Sequence, residues 1–354
     1  MGYRAMFWMA GCTLLTLISL AGTARALTES ELAGTGWETT LEPFFRSGIR
    51  FDFQGADGLP LTGVRFPNES ATDTIVFLPG FSEPWLKYIE LLHELHRNGF
   101  EVLSYDHRGQ GTSPRLARSN PDAVHLVRFE DHRSDLKQFL ESVASKRKIH
   151  VLAHSMGGAV ALDLIENPPS SLFSAQIGHL VLNAPMLAIR TEPFPRPLAR
   201  VITSFLVTIG LGERYAPTKG PRDPGRPFEA NRGTSSPVRY AFEQKLAGWF
   251  PERWVGGPTN SWVKAALEAS SRIAGDFSRI SRPVAMLVPT EDHYADPEEL
   301  VRICETHRSR CSSFTMEGSR HEIFAETDSH RNRAIQTVLR TLKNPLQNPV
   351  HQRK

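Results

Sequence analysis

Short apolar runs alternate with amphipathic segments along two stretches of the chain. The runs are rich in β-branched and aromatic residues, which is typical of strands buried inside a sheet. They cover residues 49–53, 62–66, 74–78, 101–105, 149–153, 179–183, 284–288 and 313–316. Helical spacing of apolar residues covers 85–98, 129–146, 156–166, 297–306 and 329–342. This alternation predicts an α/β protein with a mostly parallel central sheet and helices on both of its faces.

The alternation stops between residues 186 and 280. One stretch of this insert places its apolar residues on a single helix face. These residues are Leu198, Val201, Ile202, Phe205, Leu206 and Ile209. Because proline- and glycine-rich segments flank the stretch, we expect a helical cap, or lid, over a core of residues 49–185 and 281–345, with Phe205, Leu206 and Ile209 contacting the substrate. A helix packed into the core is the alternative.

The first 26 residues differ from the rest of the chain. Arg4 precedes an apolar run at 5–21, and the small-x-small pattern Ala24-Arg25-Ala26 follows it. This layout predicts a secretory signal peptide over residues 1–26 and export to the periplasm or the medium. An uncleaved membrane anchor is the alternative. Residues 27–48 then lead into the first strand, and residues 346–354 form a C-terminal tail.

Composition narrows the classes of function. The 354-residue chain is 40% hydrophobic with a net charge of +3, which excludes intrinsic disorder and gives no reason to expect a nucleic-acid partner. No cysteine or histidine cluster has metal-ligand spacing, so no metal is expected. After signal cleavage only Cys304 and Cys311 would remain, either bridged or as two buried thiols.

The residues around Ser155 carry the strongest chemical signal. His154-Ser155-Met156-Gly157-Gly158 follows a predicted strand and opens a predicted helix, with Ala153 in front. This is the context of the G-x-S-x-G nucleophile elbow, a sharp turn that exposes the serine hydroxyl. A serine that only caps a helix would not account for the two glycines. We therefore predict that Ser155 is a nucleophile.

A serine nucleophile needs a histidine base, which follows it in chain order in such folds. His321 lies in the loop after the last predicted strand, and we predict that it is the base. His293 and His307 are weaker candidates, because their positions suit solvent-facing loop or helix residues.

The base needs a carboxylate, expected just after the strand at 284–288. Asp292 and Asp296 compete for this role, with Glu291 behind them. Asp296 precedes a proline and can cap the next helix, which is a sufficient structural reason for it. Asp292 is therefore the predicted third member of the triad.

An oxyanion hole needs two backbone N–H donors, one directly after the nucleophile and one after the strand at 74–78. The predicted donors are Met156 and Phe81. Pro79 cannot serve, because proline has no N–H, whereas Gly80 permits a turn that aims the Phe81 amide inward. An ordinary Pro-Gly turn is the alternative for this segment.

Six sequence motifs resemble those of one large enzyme superfamily. They are Leu78-Pro79-Gly80-Phe81, Asp106-His107-Arg108-Gly109-Gln110-Gly111-Thr112-Ser113, the Ser155 elbow, Asn183-Ala184-Pro185-Met186, Val255-Gly256-Gly257-Pro258-Thr259 and His321-Glu322-Ile323-Phe324. Over residues 51–342 the chain resembles the α/β-hydrolases, in the branch of monoacylglycerol lipases and bacterial lysophospholipases. The last two motifs resemble the lysophospholipases in particular.

The resemblance implies an α/β-hydrolase fold with a helical cap. It also implies a triad of Ser155, Asp292 and His321, an oxyanion hole at Phe81 and Met156, and a structural role for the loop at 106–113. Such a serine hydrolase needs no cofactor.

The sequence predicts an enzyme that cleaves the carboxylic ester of a single-acyl lipid, most simply a lysophospholipase. A monoacylglycerol lipase or a general carboxylesterase is the nearest alternative, and an inactive hydrolase fold used for binding is an alternative from another class. The expected partners are the lipid substrate and, through the cap, a membrane surface. The sequence leaves the head group and the chain length open.

Overall fold

The structure, a computed structural model, describes residues 26–143, 147–168, 176–280 and 282–343. The predicted signal segment, apart from Ala26, and the predicted tail at 346–354 lie outside the described residues. Among the helices that the structure describes, none is long and apolar enough to cross a bilayer.

Within the described residues, eight strands form one sheet. They are β1 (Ile49–Gln54), β2 (Pro60–Phe66), β3 (Asp73–Leu78), β4 (Glu101–Tyr105), β5 (Lys148–His154), β6 (Ile177–Asn183), β7 (Val284–Pro289) and β8 (Cys311–Met316). Their order across the sheet is β1-β2-β4-β3-β5-β6-β7-β8. β2 is antiparallel to both of its neighbours, and every other pair is parallel. The predicted, mostly parallel sheet is confirmed.

The central strands are buried because their two faces belong to two apolar cores. In β3, Val76 and Leu78 enter one core, whereas Ile75 and Phe77 enter the other. Successive side chains of a strand point to opposite faces, so both sides of the sheet need an apolar cover. This explains why the sequences of the central strands are nearly continuous apolar runs.

Helices from both ends of the chain cover these faces. They are α1 (Glu29–Ala33), α2 (Glu42–Ser47), α3 (Ile89–Arg97), α4 (Glu130–Ser142), α5 (Met156–Glu166), α6 (Arg196–Thr208), α7 (Pro237–Trp249), α8 (Asn260–Gly275), α9 (Pro297–Thr306) and α10 (Asp328–Lys343). Residues of α4 and α5 pack in one core, and residues of α3 and α10 pack in the other. The predicted helix at 85–98 begins with a 3-10 turn, Trp85–Tyr88, before it becomes α-helical.

Helices α6, α7 and α8 lie in the insert between β6 and β7. The helix predicted from the apolar residues at 198–211 is present as α6. Elsewhere, a disulfide joins Cys304 at the end of α9 to Cys311 at the start of β8. Of the two states that the sequence left open for these cysteines, the structure has the bridged one.

Candidate active site

Ser155 lies at the corner between β5 and α5 in a strained backbone conformation. Its φ of 49° and ψ of −115° fall in a region that non-glycine residues rarely adopt. Backbone hydrogen bonds tie it to the end of β6 and the segment that follows: its N–H donates to the carbonyl oxygen of Asn183, and its own carbonyl accepts from the N–H of Met186, each at 2.9 Å. The surrounding structure thus compensates for a strain that presents this side chain at the end of the sheet.

Close packing explains the two glycines after Ser155. A Cβ on Gly157 would lie 2.6 Å from the carbonyl oxygens of Leu78 and Pro79. A Cβ on Gly158 would lie 2.9 Å from Cβ of Pro185. Both distances are too short for real atoms, so the start of α5 can approach β3 and the segment after β6 only with glycine at these positions.

Asp292 and His321 form a short hydrogen bond. Oδ2 of Asp292 lies 2.6 Å from Nδ1 of His321, and Oδ1 accepts from the backbone N–H groups of Tyr294 and Ala295 at 2.7 and 3.0 Å. Both side chains are buried, with 2% of Asp292 and 6% of His321 exposed. The carboxylate is therefore fixed in place and in turn fixes the ring.

The pKa values of this pair shift in opposite directions. Burial alone would lower the pKa of His321, but the charge and hydrogen bond of Asp292 outweigh it, so the pKa of His321 lies above its usual value. Burial likewise opposes the Asp292 carboxylate, yet His321 and the two backbone donors hold the pKa of Asp292 below its usual value. The pair therefore favours a charged carboxylate and a basic imidazole.

The competing candidates are engaged elsewhere. Asp296 caps α9 by accepting from the backbone N–H of Glu299 at 3.1 Å, as its position before a proline predicts. His307 stacks on the ring of Phe277 with centroids 4.5 Å apart, and His293 is exposed. Among these residues only Asp292 has its carboxylate against His321.

A second histidine beside His321 stays neutral. The ring centroids of His154 and His321 lie 4.7 Å apart. Burial lowers the pKa of His154 to about 3, although the charge of Glu83 opposes the shift. Nδ1 of His154 lies 2.9 Å from Nδ2 of Asn183, which donates to it. His154 therefore packs against His321 without adding a positive charge that would disfavour protonation of His321.

The loop after β3 positions the amide of Phe81. The flanking amides have side-chain acceptors: the N–H of Gly80 donates to Oε2 of Glu83, and the N–H of Ser82 donates to Oε1 of Gln110, each at 2.7 Å. Gln110 lies in the loop at 106–113 and also donates to the carbonyl of Gly80 at 3.1 Å. That loop thus braces the turn on which Phe81 sits.

The amides of Phe81 and Met156 remain available as donors. Met156 is the first residue of α5, so its N–H has no partner within the helix. Within the described ranges, neither amide donates to a backbone or side-chain acceptor. This is the condition that a pair of oxyanion-hole donors must meet.

A cavity of about 560 Å³ opens onto Ser155 and His321. This volume lies within the roughly 300–1,000 Å³ typical of small-molecule sites. Apolar side chains of the cap and of the segment after β6 line part of it, including Ile189, Phe194, Ile202, Trp262, Val263 and Leu267. Charged and polar side chains also line it, including Lys87, Arg222, Arg226, Tyr240, Glu243 and Glu322. The cavity can therefore hold a molecule with both an apolar and a polar part.

The predicted contacts of α6 with the substrate need a correction. Ala199, Ile202 and Thr203 of α6 line the cavity, whereas Phe205, Leu206 and Ile209 do not. Phe205 is 61% exposed and Ile209 is 52% exposed, so this side of the helix faces solvent. The apolar row extends round the outside of α6, and only its edge at Ile202 reaches the cavity.

Comparison with known proteins places this site in a family. The family model described as "Serine aminopeptidase, S33" matches residues 69–328. The chain belongs to this family of α/β-hydrolases. Its mostly parallel eight-stranded sheet, formed by the described residues, is thus that of an α/β-hydrolase.

Relatives of this α/β-hydrolase include lipid-cleaving enzymes. The chain is 31% identical to lysophospholipase L2 of Escherichia coli K12 in an alignment of 311 positions that covers 84% of this chain and 88% of that one. It is 22% identical to the monoglyceride lipase of Saccharomyces cerevisiae in an alignment of 315 positions that covers 82% of this chain and 91% of that one. These relationships make the chain a serine ester hydrolase, as its sequence predicted.

Solved structures agree on the fold. A soluble variant of the Saccharomyces cerevisiae monoglyceride lipase matches with a TM-score of 0.63 and 18% identity, over 83% of this chain and 96% of that one. The monoacylglycerol lipase of Paleococcus ferrophilus matches with a TM-score of 0.60 and 20% identity, over 80% and 98%. Both likenesses confirm the α/β-hydrolase fold that the sequence motifs implied.

A buried lysine of this hydrolase joins three elements around the cavity. Nζ of Lys87 lies 2.8 Å from Oε1 of Glu83, 2.9 Å from Oε1 of Glu322 and 3.4 Å from Oε2 of Glu243. Glu83 belongs to the loop of Phe81, Glu322 follows His321, and Glu243 lies on α7 of the cap. Lys87 therefore couples the Phe81 loop, the His321 loop and the cap.

Three carboxylates around one ammonium leave an excess of negative charge. Burial opposes the Glu83 carboxylate, but the charge of Lys87 and hydrogen bonds from Lys87 and the Tyr88 hydroxyl hold the pKa of Glu83 at about 2. Burial raises the pKa of Glu322 to about 7, and its acidic neighbours reinforce this shift against the opposing effect of Lys87. Glu83 is thus the permanent counter-charge, and Glu322 takes up a proton near neutral pH.

The sequence alone does not predict this cluster of four side chains. The i, i+4 spacing of Glu83 and Lys87 directly after the predicted oxyanion loop was an available signal. Nothing in the local sequence connects that pair to Glu243 or Glu322, which are more than 150 positions away. Only the packing of the cap against the sheet brings the four side chains together.

Proposed function

We propose that this ester hydrolase is a lysophospholipase, which removes the one acyl chain of a single-chain phospholipid. The observation that carries the proposal is a cavity at Ser155 whose lining has an apolar part for a tail and a charged part for a polar head. The 31% identity to lysophospholipase L2 supports the same substrate class. An uncharged ester would leave the charged part of the lining without a complementary group.

Ser155, His321 and Asp292 are the proposed catalytic residues. Oγ of Ser155 attacks the ester carbonyl carbon while Nε2 of His321 takes its proton, and Asp292 stabilises the resulting imidazolium. The N–H groups of Phe81 and Met156 donate to the oxyanion that forms. His321 then returns the proton to the leaving glycerol oxygen, and the acyl group remains on Ser155.

Water completes the proposed cycle. His321 removes a proton from a water molecule, whose oxygen attacks the acyl-enzyme carbonyl through a second oxyanion. Collapse of this intermediate releases the fatty acid, and the proton on His321 returns to Oγ of Ser155. No cofactor takes part, because proton transfers and one nucleophile suffice for ester hydrolysis.

A substrate panel tests the proposed activity. Purified protein is assayed with a lysophospholipid and a monoacylglycerol that share one acyl chain, and with a p-nitrophenyl butyrate ester. We expect the highest kcat/KM for the lysophospholipid, and labelling by a fluorophosphonate probe that Ser155→Ala abolishes. A higher kcat/KM for the monoacylglycerol would replace the proposal with a monoacylglycerol lipase.

The proposed location is outside the cytoplasm. The signal-like segment at 1–26 supports it, and so does the disulfide between Cys304 and Cys311, because disulfides persist mainly in oxidising compartments. N-terminal sequencing of the protein from its native host is expected to start at Leu27. An intact start at Met1 or Gly2 would favour the anchored alternative.

We also propose that the outer side of α6 contacts a lipid surface. Leu198, Val201, Phe205 and Ile209 form a row along this helix, and 46–65% of each side chain is exposed. Such an exposed apolar row on an amphipathic helix is typical of interfacial binding. In liposome flotation, we expect Val201→Ser with Phe205→Ser to release the protein into the soluble fraction, whereas Thr208→Ser should not.

A further inference from the structure

The cap segment between α6 and α7 brings two arginines to the cavity that contains Ser155. Arg222 and Arg226 both line this cavity. One guanidinium nitrogen of Arg222 donates to Oε1 of Gln244 at 2.9 Å, and one of Arg226 donates to the carbonyl of Ala230. Each guanidinium is thus held at one end by a neutral acceptor and forms no ion pair with the residues that the structure describes.

The lack of an ion pair distinguishes these arginines from two other cations of the cavity, Arg190 and Lys87. Arg190 lies 3.6 Å from Oδ2 of Asp296, and Lys87 has three carboxylates within 4.0 Å. In the part of the chain that the structure describes, no carboxylate oxygen lies within 4.0 Å of the Arg222 or Arg226 guanidinium. Asp223, which also lines the cavity, accepts instead from the backbone N–H of Gly225 at 3.0 Å.

A close backbone contact fixes the segment that carries Arg222. The N–H of Gly257 donates to the carbonyl of Gly220 at 2.9 Å. A Cβ on Gly256 would lie 2.9 Å from Cα of Pro221 and 3.0 Å from the backbone nitrogen of Arg222. The Gly256-Gly257 pair therefore allows the two backbones to meet, and this explains a motif that the catalytic residues do not use.

The chemistry of the cavity indicates which group the arginines would bind. A guanidinium matches the oxygens of a phosphate in geometry and charge, and such charge-assisted hydrogen bonds are stronger than neutral ones. The carboxylates around Lys87 would repel an anion, whereas the guanidinium groups of Arg222 and Arg226 would attract it.

We propose that Arg222 and Arg226 form a subsite for the phosphate of the substrate's head group. The subsite rests on the proposed lysophospholipase function, and it identifies the residues that would recognise the phosphate of the head group. In a lysophospholipid the glycerol unit separates the phosphate from the ester, so tail, ester and phosphate can be bound at three places in one cavity. A monoacylglycerol has no phosphate, so the two arginines select between these lipid classes.

The test compares two substrates that differ only in the head group. The double variant Arg222→Gln/Arg226→Gln is assayed with palmitoyl lysophosphatidylethanolamine and with palmitoylglycerol, both dispersed in the same excess of neutral detergent. We expect kcat/KM to fall at least about tenfold for the lysophospholipid and less than about twofold for palmitoylglycerol, because only the first loses charge-assisted hydrogen bonds. Equal losses on both substrates, or none, would overturn the subsite.

A matched control separates the subsite from general surface charge. Arg232 belongs to the same cap segment and is exposed, but it does not line the cavity. Arg232→Gln should leave the ratio of the two kcat/KM values unchanged. If it lowers the ratio as much as the double variant does, the effect is attraction of anionic lipid to the surface and not a subsite.

Inhibition of the wild-type enzyme tests the subsite without relying on a folded variant. Glycerophosphoethanolamine, which carries the head group and no ester tail, should compete with palmitoylglycerol, whereas glycerol at the same concentration should not. Absence of this inhibition would overturn the subsite. If the wild type cleaves palmitoylglycerol but not the lysophospholipid, the proposed function is wrong, and this inhibition assay still decides the subsite.

Discussion

The sheet and the cap of this hydrolase bury their apolar residues in different ways. Every residue of β7 is buried, because each alternate side chain meets an apolar core on its own side of the sheet. Helix α6 buries only Ala199 and Thr203, while Phe205 on its other side is mostly exposed. In the sheet, an apolar pattern therefore identifies residues of the core. In the cap, the same kind of pattern also includes residues on an exposed surface.

This difference matters for function. The proposed catalytic residues sit on the rigid ends of strands and on the loops that follow them, held by short backbone and side-chain hydrogen bonds. The proposed tail and head-group contacts come largely from the cap. Changes in the core should thus affect the reaction with every substrate, and changes in the cap should affect one substrate more than another.

The largest expected effect belongs to Ser155. Ser155→Ala should lower kcat by at least about 10³-fold on every ester, because the nucleophile itself is lost. The thermal midpoint should stay within a few degrees of the wild type, since no buried contact is removed. If Ser155→Ala lost activity on long-chain esters alone, Ser155 would contribute to substrate selection, as the cap does. Another residue would then be the nucleophile.

Asp292 should rank second, and Asp296 is its matched control. Asp292→Asn should lower kcat by about 10²- to 10⁴-fold, because an amide cannot stabilise the His321 imidazolium. Asp296→Asn should change kcat less than about threefold, because asparagine still caps a helix. If Asp296→Asn proves the more damaging change, the proposed carboxylate is wrong.

The pH profile should show the raised pKa of His321. His321 must be neutral to accept a proton, so kcat/KM should rise with pH and reach half its maximum above pH 6.5, the usual value for histidine. In Asp292→Asn the favourable charge is removed and burial remains, so the half-maximal pH should move down. A midpoint that stays in place would show that Asp292 does not act on this histidine.

The smallest expected effect separates the two sides of α6. Ile202→Ser should lower kcat/KM for a long acyl chain several-fold more than for a butyrate ester, because a buried methylene contributes about 0.8 kcal/mol. Phe205→Ser should leave this ratio unchanged in detergent-dispersed assays. If Phe205→Ser changes the ratio and Ile202→Ser does not, the sequence-based contact at Phe205 is right and the orientation of α6 is wrong.

The local sequence was sufficient to predict a structural feature where one physical cause acts on adjacent residues. Because the strands are buried on both faces, they can be recognised in the sequence as apolar runs. The strained elbow needs glycine at 157 and 158, so the motif around Ser155 can also be recognised. The role of Asp296 as a helix N-cap could also be predicted from its neighbours, because an N-cap makes a local hydrogen bond to the first turn of its helix. These causes allowed the fold class, the cap insert and the Ser155 elbow to be predicted from the chain alone.

The sequence by itself determined the α/β-hydrolase architecture and narrowed the chemistry to a few named side chains. Only the tertiary structure decided which side of α6 lines the cavity, since helical periodicity shows that a face is apolar and not what covers it. It also decided that Lys87 meets Glu243 and Glu322, and that Arg222 reaches the cavity of Ser155. The physical reason is the same in each case: these contacts join segments distant in the chain, and their energy depends on burial that no local pattern records.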